Sequence, residues 1–269
     1  MENFLSGRLG KLPAPVHRLG LSAFYRPGKE TIHRAVDAGL NTFFFFGFDT
    51  HMTGALRDIL QRGRERFVVV TGAYNFIWWR QDLRRTLEKR LRQLGTEYVD
   101  VFLFLGVMKP EQCPGELLDR LRSLRDGGRV KAAGISVHDR KFAGELASAG
   151  ALDVLMVRYN AAHRGAETDV FPHLERHDTG LISYTATRWR ALLRRPKGWP
   201  ENGRVPDAGL CYRFVLSQPA VDVCLTAPSS LRQFEDNLKA AEKGPLDEDE
   251  MRFMTRFGDA VYRERKYFM

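Results

Sequence analysis

The sequence has few cysteines and no long apolar run, and each shortage excludes a class of protein. Its three cysteines, Cys113, Cys211 and Cys224, are odd in number and far apart, so neither a disulfide framework nor a zinc site is indicated. No apolar run reaches the length of a membrane span, and the first residues lack the continuous apolar segment of a secretory leader. We therefore expect a cytoplasmic protein that holds no metal and contacts no membrane.

Positive charge is abundant, and the net charge of +9 with a pI near 9.6 favours phosphates, nucleic acid or acidic surfaces without choosing among them. The densest basic run is "RQDLRRTLEKRLRQLG" at 80–95, in which four leucines fall at helical spacing: Leu83, Leu87, Leu91 and Leu94. We interpret its arginines as the solvated face of an amphipathic helix. Since no known nucleic-acid motif is present, we expect no nucleic-acid partner.

Short apolar runs alternate with longer amphipathic stretches, which is typical of β-α repetition and a parallel sheet. The eight candidate strands lie at 16–22, 41–46, 67–71, 98–105, 131–137, 153–159, 180–186 and 221–227. Helical patterns lie at 28–38, 53–63, 79–94, 114–127, 139–149, 167–177, 207–217 and 231–242. No linker-like or low-complexity tract divides the chain. We therefore predict one α/β domain across residues 1–269, a single (β/α)8 TIM barrel with its site at the C-terminal ends of the strands.

Six stretches, in order, resemble the consecutive landmarks of the aldo-keto reductases. They are "HRLGLSA", "AVDAGLN", "LRQLGTEYVDVFLF", "LRSLRDGGRVKAAGISVHD", "LISYTATRWRALL" and "LTAPSSLRQFEDNL". The resemblance covers nearly the whole chain and implies a barrel that binds NADP(H) without a Rossmann domain. It also implies carbonyl reduction by an Asp, Tyr, Lys and His tetrad around the substrate oxygen.

None of the four tetrad positions carries the expected residue. The resemblance gives Phe44 at the Asp position, Asp49 at the Tyr position, Gly72 at the Lys position and Leu105 at the His position. In the family the tyrosine donates a proton to the developing alkoxide, and the other three side chains lower its pKa or orient the carbonyl. Since losing one such contact costs about 3 to 4 kcal/mol, we expect no ordinary carbonyl reduction, and the sequence leaves open whether the chain is an enzyme.

Three residues are candidates to replace the lost acid. Tyr74 follows the lost lysine by two positions, and Asp49 and His51 lie on the loop after the second strand. Each has a purely structural alternative: Tyr74 as an aromatic packed at a loop, Asp49 as a helix N-cap, and His51 as an exposed loop residue.

The cofactor-binding motif of the family matches this sequence better than the tetrad does. In "APSSLRQFEDN" the resemblance implies phosphate donors at Ser229 and Ser230, a 2'-phosphate contact from Gln233 or Arg232, and adenine contacts from Asp236 and Asn237. A serine-capped helix is the alternative. The resemblance also implies that Tyr184 stacks on the nicotinamide and that Ser136 holds its carboxamide, whereas Val137 and Met156 replace the other two carboxamide partners. We therefore expect NADP(H) as cofactor.

The predicted mouth is rich in aromatic residues, which suits a flat apolar small-molecule ligand. Its predicted pocket residues are Phe46, Phe48, Trp78 and Arg158. Arg158 could hold a carboxylate or phosphate, or pair with a nearby acid. The arginine-rich loop at 188–207 could neutralise pyrophosphate, form a mobile cover, or be solvated.

Two hypotheses follow from these residues. One is a divergent aldo-keto reductase-like protein that keeps nucleotide binding and has lost the usual chemistry. The other is an active NADP(H)-dependent oxidoreductase that uses a relocated acid such as Tyr74 on an unusual aromatic or apolar substrate. The sequence leaves the oligomeric state and the substrate open.

Overall fold

Eight parallel strands close into a barrel in this computed structural model, which describes residues 3–75 and 80–264. The barrel strands are β3 (Leu19–Ser22), β4 (Thr42–Phe44), β5 (Val68–Tyr74), β6 (Val99–Val107), β7 (Val130–Val137), β8 (Val154–Arg158), β9 (Gly180–Tyr184) and β10 (Val223–Thr226). Each strand pairs with the next along the chain, and β10 pairs with β3 through Cys224 opposite Leu19. The predicted single (β/α)8 barrel is therefore confirmed.

A short antiparallel hairpin, β1 (Ser6–Gly7) and β2 (Val16–His17), covers the N-terminal end of the barrel. Leu9 and Val16 of this hairpin segment are buried against the inward-facing side chains of the barrel strands. The predicted single strand at 16–22 is wrong, because the chain changes partners at Arg18. That guanidinium donates to the carbonyl oxygens of neighbouring segments, including Leu216 at 2.9 Å.

The helices form the outer layer. They are α1 (Lys29–Asp37), α2 (Thr50–Leu60), α3 (Leu83–Leu94), α4 (Gly115–Asp126), α5 (Arg140–Ser148), α6 (Ala166–Asp169), α7 (Ala208–Leu216), α8 (Leu231–Ala241) and α9 (Glu248–Glu264). Side-chain caps begin six of them: Asp49, Asp82, Asp139, Asp207, Ser230 and Asp247. In the described ranges, no helix combines the length and the apolar content that crossing a bilayer requires.

Two helix predictions need correction. The predicted helix at 167–177 is a four-residue α6 followed by two short 3-10 turns. Pro172 accounts for this, because proline lacks the N–H that a continuous α-helix requires there. In α3 the four leucines are buried as predicted, but Arg90 is also buried, so one arginine of the basic run faces inward.

The barrel interior is apolar up to its C-terminal mouth. Four side chains from different strands form the top of this filling: Phe44, Leu105, Met156 and Leu225. They are at most 8% exposed. The fold therefore gives the mouth a hydrocarbon floor at the place where barrel enzymes carry their polar groups.

Candidate functional site at the barrel mouth

Two adjoining cavities open at the C-terminal ends of the strands. The first, of about 270 Å³, lies over the barrel axis, and the second, of about 550 Å³, runs beside the N-terminus of α8. Four residues line both cavities: Tyr25, Thr187, Tyr212 and Ala227. The two cavities thus form one groove with an apolar end and a polar end.

The run of four phenylalanines builds one wall of the apolar cavity. Phe43 and Phe45 point outward into the core between strands and helices, whereas Phe44 and Phe46 point toward the cavity. The ring centroids of Phe44 and Phe46 lie 4.8 Å apart, and the exposed Phe48 ring lies 5.2 Å beyond Phe46. An aromatic surface therefore extends from the floor of the cavity to solvent.

The four positions at which the resemblance expects the tetrad contain no proton donor that faces the cavity. Phe44 and Leu105 are buried hydrocarbon on its wall. Gly72 leaves no room for a side chain, because a Cβ atom there would lie 2.1 Å from the carbonyl oxygen of Leu103. The carboxylate of Asp49 accepts the backbone N–H of Met52 at 2.6 Å and caps α2.

Among the three predicted substitutes, Tyr74 alone is a described lining residue of the cavity. Burial raises the pKa of its phenol well above the ordinary value, and the nearby charge of Arg90 partly opposes this shift. Asp49 is 5% exposed and serves as the helix cap. His51 is exposed on the first turn of α2.

A second polar group lies across the mouth from Tyr74. The Oη atom of Tyr184 lies 3.4 Å from Nε2 of His138, and Tyr184 and Ser136 both line the apolar cavity. Burial raises the pKa of Tyr184 to about 12, although the charge of Arg158 opposes the shift. Burial and the same charge lower the pKa of His138, which favours its neutral imidazole.

The predicted pocket residues have different positions. Phe46 lines the cavity, and Phe48 extends its wall outward. Arg158 is half-buried and pairs in register with Tyr184, beside the cavity lining. Trp78 lies outside the described residues.

The polar cavity brings together four of the six residues predicted on the last loop and helix: Ser229, Gln233, Asp236 and Asn237. The Oε1 atom of Gln233 accepts the N–H and the hydroxyl of Ser229 at 3.0 and 2.9 Å. Asn237 is buried and donates to Oγ1 of Thr226 at 3.2 Å. This end of the groove is therefore preorganised by its own hydrogen bonds.

The other two predicted residues lie beside the cavity. Ser230 caps α8 by accepting the N–H of Gln233 at 3.3 Å. The Arg232 side chain is 93% exposed and lies 4.0 Å from the carboxylate of Asp236. The capped-helix alternative thus describes Ser230, while Ser229 faces the groove.

Two cations of the polar cavity, Lys239 and Lys243, were not predicted from the sequence, and a third, Arg190, comes from the arginine-rich loop predicted at 188–207. Lys239 lies one turn beyond Asp236 on α8, and Lys243 follows two residues after the last residue of that helix, so their spacing from Asp236 would have found them. Arg190 comes from the loop after β9 and depends on tertiary structure for its position.

The rest of the arginine-rich loop is anchored to α9. The Trp199 ring lies 4.9 Å from that of Phe257, and its Nε1 donates to the carbonyl of Arg204 at 3.0 Å. Arg188 is fully buried and donates to the carbonyl of Val261 at 2.8 Å. These contacts argue against a mobile cover.

Comparison with known proteins gives one family and one fold. The family model described as "Aldo/keto reductase family" matches residues 27–195. The uncharacterized oxidoreductase YqkF of Bacillus subtilis (strain 168) is 22% identical over 232 residues, which make up 72% of this chain and 75% of YqkF.

Two solved structures share the barrel over nearly its full length. The aldo-keto reductase AKR11C1 from Bacillus halodurans, in its holo form, is 19% identical with a TM-score of 0.76, covering 97% of this chain and 99% of that protein. An aldo/keto reductase from Klebsiella pneumoniae, in complex with NADP and acetate, is 20% identical with a TM-score of 0.77, covering 98% and 99%. At these identities the likeness shows the fold.

Proposed function

Because this chain belongs to the aldo-keto reductase family, we propose that it binds NADP(H) along the groove and does not perform the family's ordinary carbonyl reduction. The observation that carries the proposal is the contrast between the two ends of that groove. The polar cavity keeps hydroxyls, cations and a helix N-terminus. The floor of the apolar cavity is hydrocarbon where the acid and its partners would be.

The polar cavity fits the adenosine and phosphate groups of NADP(H). The N-terminus of α8 offers N–H donors to an anion, and the Ser229 hydroxyl, which donates to Gln233 in this structure, lies on the same cavity wall. Lys239 on α8 and Lys243, just after the end of that helix, add positive charge, and Arg190 adds it from the loop after β9. We expect the two lysines to favour a 2'-phosphate, and therefore NADP(H) over NAD(H).

The nicotinamide end has fewer polar partners. Tyr184 offers a flat ring and Ser136 a hydroxyl on the wall of the apolar cavity. Val137 and Met156 are apolar where the resemblance implies two further carboxamide partners, and each missing hydrogen bond costs about 1 to 3 kcal/mol. When bound, NADPH supplies a hydride. This chain would hold the nicotinamide more loosely than the adenosine.

The apolar floor explains why ordinary carbonyl reduction is not expected. A carbonyl oxygen that becomes negative needs a proton or a hydrogen-bond donor beside it, and each missing donor costs about 3 to 4 kcal/mol. Phe44 and Leu105 provide none, and Gly72 has no side chain. Asp49 uses its carboxylate to cap α2.

Thermal unfolding and an activity assay test the two halves of the proposal. At about 1 mM, NADPH should raise Tm by about 5 °C, and NADH should raise it less. In the activity assay, the oxidation of NADPH by 4-nitrobenzaldehyde should be no faster with the protein than without it. An unchanged Tm would contradict the binding half, and turnover at about 1 per second or faster would contradict the other half.

A second candidate function is an active NADP(H)-dependent oxidoreductase that uses Tyr74 as a relocated acid on an aromatic or apolar substrate. It is supported by the place of Tyr74 on the cavity wall and by the charge of Arg90 nearby. For any substrate that turns over, Tyr74→Phe should lower the rate about 100-fold or more. The exposed Tyr262 of α9 provides the control, Tyr262→Phe, which should leave the rate unchanged. An unchanged rate in Tyr74→Phe would exclude this mechanism.

A further inference from the structure

The two ends of the groove differ in how they receive charge. The polar cavity has lysines and aspartates on its walls, whereas the floor of the apolar cavity is hydrocarbon from four strands: Phe44, Leu105, Met156 and Leu225. The polar side chains among the described lining residues of the apolar cavity are uncharged, such as the hydroxyls of Ser136 and Tyr184. Hydroxyls can hydrogen-bond a neutral amide, but they give an ion no counter-charge.

Three titratable groups beside the apolar cavity show the same preference for neutral forms. Burial raises the pKa of the Tyr74 phenol, and it raises the pKa of Tyr184 to about 12. Burial also lowers the pKa of His138, whose Nε2 lies 3.4 Å from the hydroxyl oxygen of Tyr184. The positive charges of Arg90 and Arg158 oppose the two tyrosine shifts and remain the smaller cause. The surroundings of this cavity therefore penalise charge of either sign.

The proposed place of the nicotinamide lies against these groups. Ser136 and Tyr184 line the apolar cavity near the ends of β7 and β9. Thr187 and Tyr212 line both cavities, so a ligand that fills the groove passes from the polar end to this end. The nicotinamide ring is a cation in NADP+ and neutral in NADPH, while the adenosine and phosphate groups are the same. The oxidation state alone therefore decides whether a positive charge enters the apolar cavity.

Aromatic rings on the cavity wall act in the opposite direction. Phe24, Phe46 and Trp189 line this cavity, and a cation over a ring face gains a cation–π attraction. That gain is smaller than the hydration that an unpaired ion loses on burial. The Phe46 ring also packs on rings of the protein itself, with centroids 4.8 Å from Phe44 and 5.2 Å from Phe48. We therefore expect the loss of hydration to decide.

We propose that this groove distinguishes the two oxidation states of the cofactor and binds NADPH in preference to NADP+, because its apolar cavity accepts a neutral ring better than a cationic one. The inference rests on the proposed function, since it requires the nicotinamide to enter the apolar cavity. Selective binding of the reduced form is a function that needs no turnover. The occupancy of the groove then follows the ratio of NADPH to NADP+.

The first test is a calorimetric titration of the wild type with NADPH, NADP+ and adenosine 2',5'-bisphosphate. The bisphosphate carries the 2'-phosphate and lacks the nicotinamide, so it reports on the polar cavity alone. We expect NADPH to bind about tenfold more tightly than NADP+. Equal Kd values for NADPH and NADP+ would overturn the proposal.

A carboxylate placed in the apolar cavity should remove this preference. Phe46 is half-buried on the cavity wall, so Phe46→Glu supplies a counter-charge, and Phe46→Gln is its uncharged match. In Phe46→Glu the ratio should fall to about twofold or less, because the carboxylate attracts the cationic ring. In Phe46→Gln the ratio should stay at about tenfold. Titration at about pH 8.5 keeps the new carboxylate ionised against the effect of burial.

Two controls separate this effect from net charge and from damage to the fold. Met108→Glu adds the same charge at an exposed residue outside the described lining of the cavity, and it should keep the wild-type ratio. Bisphosphate binding should change by less than about threefold in all three variants. Equal ratios in Phe46→Glu and Phe46→Gln would overturn the proposal. If neither variant folds, the wild-type ratio decides.

Failure of the proposed function has a different signature. In that case neither the bisphosphate nor either dinucleotide binds, and the selectivity fails with it. Binding of the bisphosphate, together with equal binding of NADPH and NADP+, would keep the nucleotide site and refute only the selectivity.

Discussion

The carboxylate of Asp49 accepts the backbone N–H of Met52 at 2.6 Å, so the position that the family resemblance gives to the proton-donating tyrosine carries a helix cap. The backbone carbonyl of Asp49 accepts the hydroxyl of Thr53 at 2.7 Å as well. Asp49 is 5% exposed, and its carboxylate is turned toward the first turn of α2. The loop after β4 is therefore built around the start of a helix.

Removing the carboxylate of Asp49 should lower the stability of the fold. In Asp49→Ala the first turn of α2 loses its acceptor, which should lower the free energy of unfolding by about 0.5 to 2 kcal/mol in a urea titration. Asp49→Asn should keep most of that stability, because an amide oxygen also caps. A loss of NADPH binding in Asp49→Ala without a loss of stability would contradict this role.

The family lysine cannot be restored at Gly72 by a simple substitution. Even Gly72→Ala places a Cβ atom against the carbonyl of Leu103, and we expect the free energy of unfolding to fall by about 1 to 3 kcal/mol. Gly115→Ala is the control, since a Cβ atom there has no neighbour within 4 Å, and its stability should be unchanged or higher. Equal stabilities of the two variants would contradict this prediction, because β5 and β6 would then have to shift to make room for the Cβ atom.

Charge at the polar cavity should separate the two nicotinamide cofactors. Lys239→Glu should weaken NADPH binding about tenfold or more and change NADH binding by less than about threefold, because the lysine is expected to face the 2'-phosphate. Lys141→Glu, at an exposed lysine of α5, controls for the change in net charge. Equal losses for both cofactors would contradict 2'-phosphate recognition here.

Asp222 should make folding sensitive to pH. Burial raises its pKa to about 6, although its carboxylate accepts the N–H groups of Leu181 and Gly10 at 2.9 and 3.3 Å. The unfolded value is about 3.9, so the protonated form favours the folded state, and this contribution is lost as pH rises from about 4 to 6. The stability of the wild type relative to Asp222→Asn should therefore fall by about 1 to 3 kcal/mol from pH 4 to pH 7. A pH-independent difference would contradict the raised pKa.

Much of the fold could be predicted because barrel strands carry a strong local signal. The run predicted at 131–137 is β7 within one residue, and the family resemblance is confirmed by the family model. The errors have local physical causes: Pro172 interrupts a helix, and Arg18 moves the first strand from one partner to another. Helix α9 was missed, although its buried positions recur at helical spacing.

The site was less predictable, because cavity walls combine residues that are distant in sequence. Motif matching found Ser229 and Asn237 on one helix and loop. It could not find Trp189, whose place on the rim depends on a left-handed backbone enforced by α9. Nor could it find His138 beside Tyr184, since that pairing requires the curvature of the closed barrel.

The most direct measurement is a calorimetric titration of the purified protein with NADPH, with NADH and ATP as controls. We predict NADPH binding with a Kd below about 100 μM, weaker binding of NADH, and dependence of that difference on Lys239. Absence of heat with all three nucleotides would contradict the claim that this barrel retains the family's cofactor site.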